Sequence, residues 1–165
     1  RCDIVFNNLV ACAYTTGKIE IMSDGSPWRP VVHIQDVCSA FISGIEAPAI
    51  LVSGRAFNVG IPNGNFTVRD IAEAAQRTVP GCELIFTGEH TDPRSYKVSF
   101  NRILTELKDY FKPKWNLDMG GKELVELFDR VDFTEKDFRG KNTIRLKQLI
   151  LLKDNNYIDS SLRVR

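Results

Sequence analysis

Apolar positions along this chain change period several times, and each change predicts an element. At Phe6, Leu9, Val10 and Ala13 they follow a helical spacing over residues 4–16, closed by Gly17. Ile19 and Ile21 then alternate with Glu20, as in a short half-buried strand. Ser23-Asp24-Gly25-Ser26-Pro27 reads as a tight turn, after which Val31, Val32 and Ile34 resume an extended run. Helical spacing returns at Val37, Ala40, Phe41, Gly44 and Ile45, with Asp36 placed to cap the helix and Pro48 to end it. Residues 55–60 read as a strand with a glycine stop, and 61–65 as a turn. Thr67-Val68-Arg69-Asp70 opens a helix in capping-box fashion, with Val68, Ile71, Ala72, Ala75 and Val79 on its buried face and Pro80-Gly81 at its end.

The second half continues with a strand at 83–87, a loop, and a short helix at 100–107 that turns Ile103, Leu104 and Leu107 inward. Tyr110, Phe111 and Trp115 read as core aromatics. Met119-Gly120-Gly121 leads into a helix expected to bury Leu124, Val125, Leu127, Phe128 and Val131. Thr134-Glu135-Lys136-Asp137 is a second cap signature, followed by a helix at 145–153 carrying Leu146, Leu149, Ile150 and Leu152. The stripe at Leu149, Ile150 and Leu152 has two readings, a lid on the same domain or an oligomer contact.

Composition narrows the class. The 165 residues suffice for one domain with a real core, and the 43% apolar and 26% charged fractions are those of an ordinary soluble globular chain. A net charge of +1 gives no reason to expect nucleic acid or a membrane surface as partner. No apolar run reaches transmembrane length, and the start lacks a signal-peptide pattern, so a cytoplasmic protein is expected. Cys2, Cys12, Cys38 and Cys82 are widely spaced and read as reduced thiols rather than a disulfide frame. With His33 and His90 isolated as well, no metal site is expected. His33, between apolar neighbours, reads as a satisfied core histidine rather than an acid or base.

One cation stands out. Arg29 lies between the tight turn and the second extended run, flanked by Trp28 and Pro30. A guanidinium held there presents a fixed fork suited to gripping phosphate in two places, or it pairs with a nearby carboxylate.

Around it, Ser23-Asp24-Gly25 followed by Arg29-Pro30-Val31-Val32-His33-Ile34-Gln35-Asp36-Val37 resembles the "G-D-G, x, x, R-D-x-x-H-V-x-D" hallmark of extended short-chain dehydrogenases/reductases. These are the NAD(P)-dependent nucleotide-sugar epimerases and dehydratases. Pro30 departs from the family's acid, and Phe57 in Arg55-Ala56-Phe57-Asn58-Val59-Gly60 replaces its Tyr. Asp92-Pro93-Arg94-Ser95-Tyr96-Lys97-Val98-Ser99 resembles the family's "D-x-R-x-Y-x-x-D", with Ser99 in place of the last acid. The resemblance fades past about residue 132.

The resemblance implies an α/β fold, the C-terminal substrate-binding part of an extended Rossmann-type enzyme. Residues 1–60 complete the Rossmann-type domain and bear the substrate-phosphate motif, 61–132 form a small α/β substrate-binding domain, and 133–165 a helical C-terminal extension. It implies that Arg29 and Arg94 bind substrate phosphate and that the start of the first helix, at Asn8 and Leu9, faces the diphosphate. It also implies that the nucleobase lies near Glu20 and Met22. The partner is a nucleoside-diphosphate sugar, the cofactor NAD or NADP, and the intact enzyme a homodimer. No glycine-rich dinucleotide loop occurs. Tyr14 and Lys18, and Tyr110 and Lys114, stand at Tyr-x-x-x-Lys spacing, but Gly17 closes the helix inside the first pair and Pro113 interrupts the second, so neither is nominated as the family's catalytic pair. Catalytic and cofactor-binding residues are expected in an absent N-terminal half, and the chain alone is expected to be inactive. Two alternatives stay open: a non-catalytic binding or regulatory module of the same fold, and a reductase of a non-nucleotide substrate.

Overall fold

The computed structural model describes residues 1–89 and 93–164; His90 and Asp92, the acid that opens the second arginine motif, lie outside them. The element order is α1 (Val5–Thr16), β1 (Lys18–Ile21), β2 (Trp28–Pro30), α2 (Ile34–Glu46), α3 (Ala49–Val52), β3 (Asn65–Thr67), α4 (Val68–Thr78), β4 (Glu83–Phe86), α5 (Asn101–Glu106), α6 (Leu117–Arg130), α7 (Glu135–Phe138) and α8 (Arg145–Asp154). β1 pairs with β4 in parallel, Lys18 opposite Glu83 and Ile21 opposite Phe86. β2 pairs with β3 antiparallel, Trp28 opposite Thr67. The chain is therefore α/β, with few short strands and many helices.

The main core is assembled by α1, α4 and α6 around β1. Val10, Ala11, Ala13, Ile19, Ile71, Ala72, Ala74 and Ala75 are fully buried there, and Phe128 and Phe138 close it from α6 and α7. Runs of alanine let helix backbones approach closely, and Gly121 extends this. A Cβ at Gly121 would overlap the Thr78 side chain, so only glycine fits where α6 meets α4. This core joins residues on both sides of position 60, since β1 takes its partner strand from beyond α4. A second cluster gathers Ala40, Ala47, Phe100, Ile103, Leu107 and Phe111 around α5.

Several expectations are met: the first helix with left-handed Gly17 at its end, β1 and β4, and both capping boxes, Thr67–Asp70 and Thr134–Asp137. Others are corrected. The second strand comes earlier than the apolar run, at Trp28–Pro30, and Ile34 already belongs to α2. The helix cap is His33, whose Nδ1 accepts from the Gln35 N–H, and not Asp36. Asp36 is buried and points away from its own helix end, accepting from the Lys114 and Trp115 N–H groups at 2.9 and 3.1 Å. Residues 55–60 form no strand among the described residues, and β3, which was not foreseen, supplies the partner of β2. An extended segment becomes a strand only where a neighbour completes its ladder, which its own sequence does not report. On α6, Leu127 and Val131 are exposed rather than buried, because Gly120 and Gly121 turn a different stripe inward. On α2, Phe41 and Ile45 of the apolar stripe are exposed at 72% and 84%, while Ala40 of the same stripe turns inward with Asp36 and Ser43.

Three outcomes follow for stability. Asp36→Ala strands two interior N–H donors and is expected to lower the unfolding free energy by roughly 2–3 kcal/mol in urea denaturation. Gly121→Ala is expected to cost about 1–3 kcal/mol, with much of the loss recovered in the Gly121→Ala/Thr78→Ala double variant. Asp3, hydrogen-bonded by Arg1 and by the Arg145 N–H, is held at about 2, below its ordinary value. Its tie to α8 is therefore complete above about pH 4 and lost as pH falls toward 2, which amide hydrogen exchange at Arg145 reads against an Asp3→Asn control.

Candidate ligand-binding site

The turn after β1 is built to be stiff. The Asp24 carboxylate accepts from both the N–H and the hydroxyl of Ser26 at 2.9 and 2.8 Å. Gly25 has φ +82° and packs so tightly that a Cβ would lie 2.7 Å from the Phe86 ring. Arg69 seals the turn, donating to the Asp24 carbonyl at 2.7 Å with its guanidinium 3.8 Å from the Phe86 ring centre. The turn delivers the chain into β2 and so sets where Arg29 stands.

Arg29 and Arg94 are brought together. The Arg29 guanidinium donates through Nη1 to the Trp28 carbonyl at 2.7 Å and to the Arg94 carbonyl, and lies 5.7 Å from the Tyr96 ring centre. The segment after Pro93 is clasped onto β2. The Trp28 N–H donates to the Ser95 hydroxyl at 3.0 Å, the Tyr96 N–H to the Trp28 carbonyl at 3.3 Å, and Lys97 Nζ sits 3.5 Å above the Trp28 ring. Asn65 closes the clasp on β3, exchanging two side-chain hydrogen bonds with Val98. The Arg29 side chain and the backbone of Arg94, 65 positions apart, thus meet at one edge.

The other nominated residues divide. Met22 is exposed beyond β1, its carbonyl accepting from the Thr87 hydroxyl at 3.0 Å. Glu20 is exposed on β1 and pairs with Lys18 at 3.5 Å. Leu9 is a core side chain. Asn8 lies a full turn inside α1: its N–H donates to the Ile4 carbonyl at 2.8 Å and its side chain to the Cys2 carbonyl at 2.8 Å. The helix begins at Val5, and Ile4 supplies no side-chain cap. The amides that open α1 are therefore those of Val5, Phe6 and Asn7, three residues before the nominated pair.

A cavity of about 450 Å³ opens at this helix start, lined from α1 by Val5 and Asn7, from the end of β2 by Pro30 to His33, and from α6 by Gly120 and Glu123. None of the six nominated residues lines it, though Arg29 adjoins Pro30. Its polar feature was not foreseen. The His33 ring stacks on Trp115 at 3.9 Å between centroids, while its Nε2 meets Glu123 Oε2 at 2.7 Å. Since Nδ1 accepts from Gln35, Nε2 carries the proton and donates to Glu123. Nothing in the sequence links positions 33, 115 and 123; Gly120, whose Cβ would lie 3.3 Å from the His33 ring, was the one signal present. In a Trp28→Phe background, His33→Ala is expected to uncover Trp115 and shift its fluorescence emission to the red, whereas Glu123→Gln is expected to leave it near its starting value.

Residues 3–60, which carry α1, the stiff turn and Arg29, match the NAD dependent epimerase/dehydratase family. The chain superimposes on a UDP-glucuronic acid 4-epimerase from Bacillus cereus, solved with UDP-glucuronic acid and NAD, at TM-score 0.62 and 17% identity, covering 79% of this chain and 41% of that one. It matches an NAD-dependent NDP-hexosamine 5,6-dehydratase of tunicamycin biosynthesis at TM-score 0.60 and 16% identity over 87% and 43% of the two chains. An L-threonine dehydrogenase from Phytophthora infestans matches at 0.57 and 19%, over 74% and 40%. The chain thus spans about two fifths of the length of these relatives. Residues 3–60 thus match the NAD dependent epimerase/dehydratase family, and the chain as a whole shares the Rossmann-type fold of part of these solved structures.

Proposed function

We propose that this chain is the nucleotide-sugar-binding part of an NAD(P)-dependent epimerase or dehydratase acting on a nucleoside-diphosphate sugar. The observation that carries the reading is the clasp that sets Arg29 beside the Arg94 segment at the end of a stiffened turn. A diphosphate is best held by several charged donors whose positions are fixed before it arrives. The uncapped start of α1, at the Val5 to Asn7 amides, adds a second anion-favouring feature. Glu20 and Met22 are exposed along and just beyond β1, and the reading assigns them to the nucleobase.

The residues of this chain do not fit a dinucleotide. Gly25, in the turn after β1, is filled against Phe86 and Arg69 and leaves no cradle for a pyrophosphate. NAD or NADP, and the groups that move protons and hydride, are assigned by this reading to further sequence of a longer protein. The apolar side of α2, with Ile34, Phe41, Ile42 and Ile45 exposed, suits packing against such a Rossmann half. The chain's own share of the work is to spend binding energy on the nucleotide, so that the sugar is held in position for chemistry elsewhere. The L-threonine dehydrogenase among the similar structures keeps a second reading in view, a reductase of a non-nucleotide substrate.

Titration of the intact protein with UDP and dTDP separates these readings. Arg29→Ala and Arg94→Ala are each expected to weaken nucleoside-diphosphate binding about tenfold or more. Diphosphate binding indifferent to both changes overturns the nucleotide-sugar reading.

A further inference from the structure

The cavity at the start of α1, at about 450 Å³, has the size and the largely apolar lining of a small-molecule site. Its lining includes Pro30, the residue after Arg29, and Val5 to Asn7, whose amides open α1. A diphosphate gripped by Arg29 and by those amides borders this cavity, and one of the two groups it carries enters. The nucleoside is assigned to Glu20 and Met22, on the β1 side of the stiff turn, which leaves the sugar. The cavity also reaches α2 at Ile34 and Val37, and Ile34 belongs to the exposed apolar side assigned to the Rossmann half. It therefore opens on the seam between binding and chemistry, the usual place for a substrate.

A pyranose presents an apolar face of C–H groups and a rim of hydroxyls, and the lining answers both. Val31, Val32, Phe66 and Leu124 form apolar wall, and the half-buried Trp115 indole, one face covered by His33, adds an aromatic one. The polar groups gather on the α6 side. His33 takes Oε2 of Glu123, whose side chain is still 46% exposed, so Oε1 remains to accept from hydroxyls. Asn116 spends its Oδ1 on the Met119 N–H and keeps Nδ2 as a donor. Gly120, a turn before Glu123, lines the cavity with no side chain to fill it. We propose that this cavity seats the sugar of the nucleoside-diphosphate sugar, Trp115 against its C–H face and Glu123 and Asn116 on its hydroxyls. It rests on the nucleotide-sugar reading above and gives the sugar a place on this chain. It also selects among sugars: the Glu123 carboxylate accepts from a neutral hexose and repels the carboxylate of a uronic acid.

Isothermal titration of the intact protein with UDP, UDP-glucose and UDP-glucuronic acid tests it; if only dTDP binds, dTDP and dTDP-glucose replace the first two. UDP-glucose is expected to bind about fivefold or more tighter than UDP-glucuronic acid, and Glu123→Gln to close that gap while leaving UDP within about twofold. Glu123 is half exposed, so the change keeps the fold, which far-ultraviolet circular dichroism checks. Glu126→Gln, the same charge change on the same helix but outside the lining, is expected to move none of the three affinities. In a Trp28→Phe background, UDP-glucose is expected to shift the Trp115 emission to the blue as the sugar displaces water from the ring, and UDP to leave it in place. UDP-glucuronic acid bound as tightly as UDP-glucose, UDP-glucose affinity unmoved by Glu123→Gln, or Trp115 emission unmoved by UDP-glucose or moved equally by UDP each overturns the proposal. If UDP binding is still lost in Arg29→Ala, the nucleotide-sugar reading survives that failure; UDP binding indifferent to Arg29→Ala overturns both.

Discussion

The buried carboxylate of Asp36 is the constraint on which the geometry of the cavity rests. It sits in the first turn of α2 and receives the N–H groups of Lys114 and Trp115, which arrive from the connection between α5 and α6. A charged acceptor in the interior persists only where donors replace the water it has lost, and here the backbone supplies two. That exchange joins the two hydrophobic clusters, since α2 contributes Ala40 to one and the connection leads through α6 to Phe128 in the other. It also lays the Trp115 ring on His33 and starts α6 at Asn116, whose side chain caps the helix through the Met119 N–H.

His33 shows how one side chain serves several levels of structure. Its Nδ1 caps α2, its ring face stacks on Trp115, and its Nε2 reaches Glu123 on α6. Gly120 leaves room for the ring. The imidazole thus fixes the mouth of the cavity beside the start of α1, and its two nitrogens are both committed to structure. The parallel pairing of β1 with β4 does similar work on the opposite side, placing Phe86 where it fills the space over Gly25 and stacks under Arg69.

The clasp between β2 and the Arg94 segment depends on the shortness of β2. Pro30 has no N–H to offer a ladder, and beyond it the Val31 N–H alone still reaches across, to the Gly64 carbonyl at 3.0 Å, before the chain turns into α2. What remains is a three-residue strand whose Trp28 backbone faces Tyr96 and Ser95 while Thr67 pairs on the other edge. The replacement of the family's acid by Pro30 thereby helps define the edge on which Arg29 stands.

Local signals in the sequence determined those elements whose cause is local. Gly17 ends α1 in a left-handed conformation, Thr67 and Asp70 cap α4 reciprocally, Thr134 and Asp137 do the same for α7, and the alternation at Ile19 and Ile21 matches a strand with one side in the core. The motif around Arg29 marked the family, and with Arg94 it marked two residues that share an edge. Which stripe of α2 and α6 turns inward was decided elsewhere: by the partners of Asp36, and by the close approach of Gly121 to Thr78. Position 8 looked like a helix start and proved to lie a turn inside one, because Ile4 is extended and Val5 already helical. The pairings of β1 with β4, of β2 with β3, and of His33 with Trp115 and Glu123 join residues dozens of positions apart. Such contacts form only when the whole chain closes on itself, and no window of sequence short enough to show a periodicity contains them.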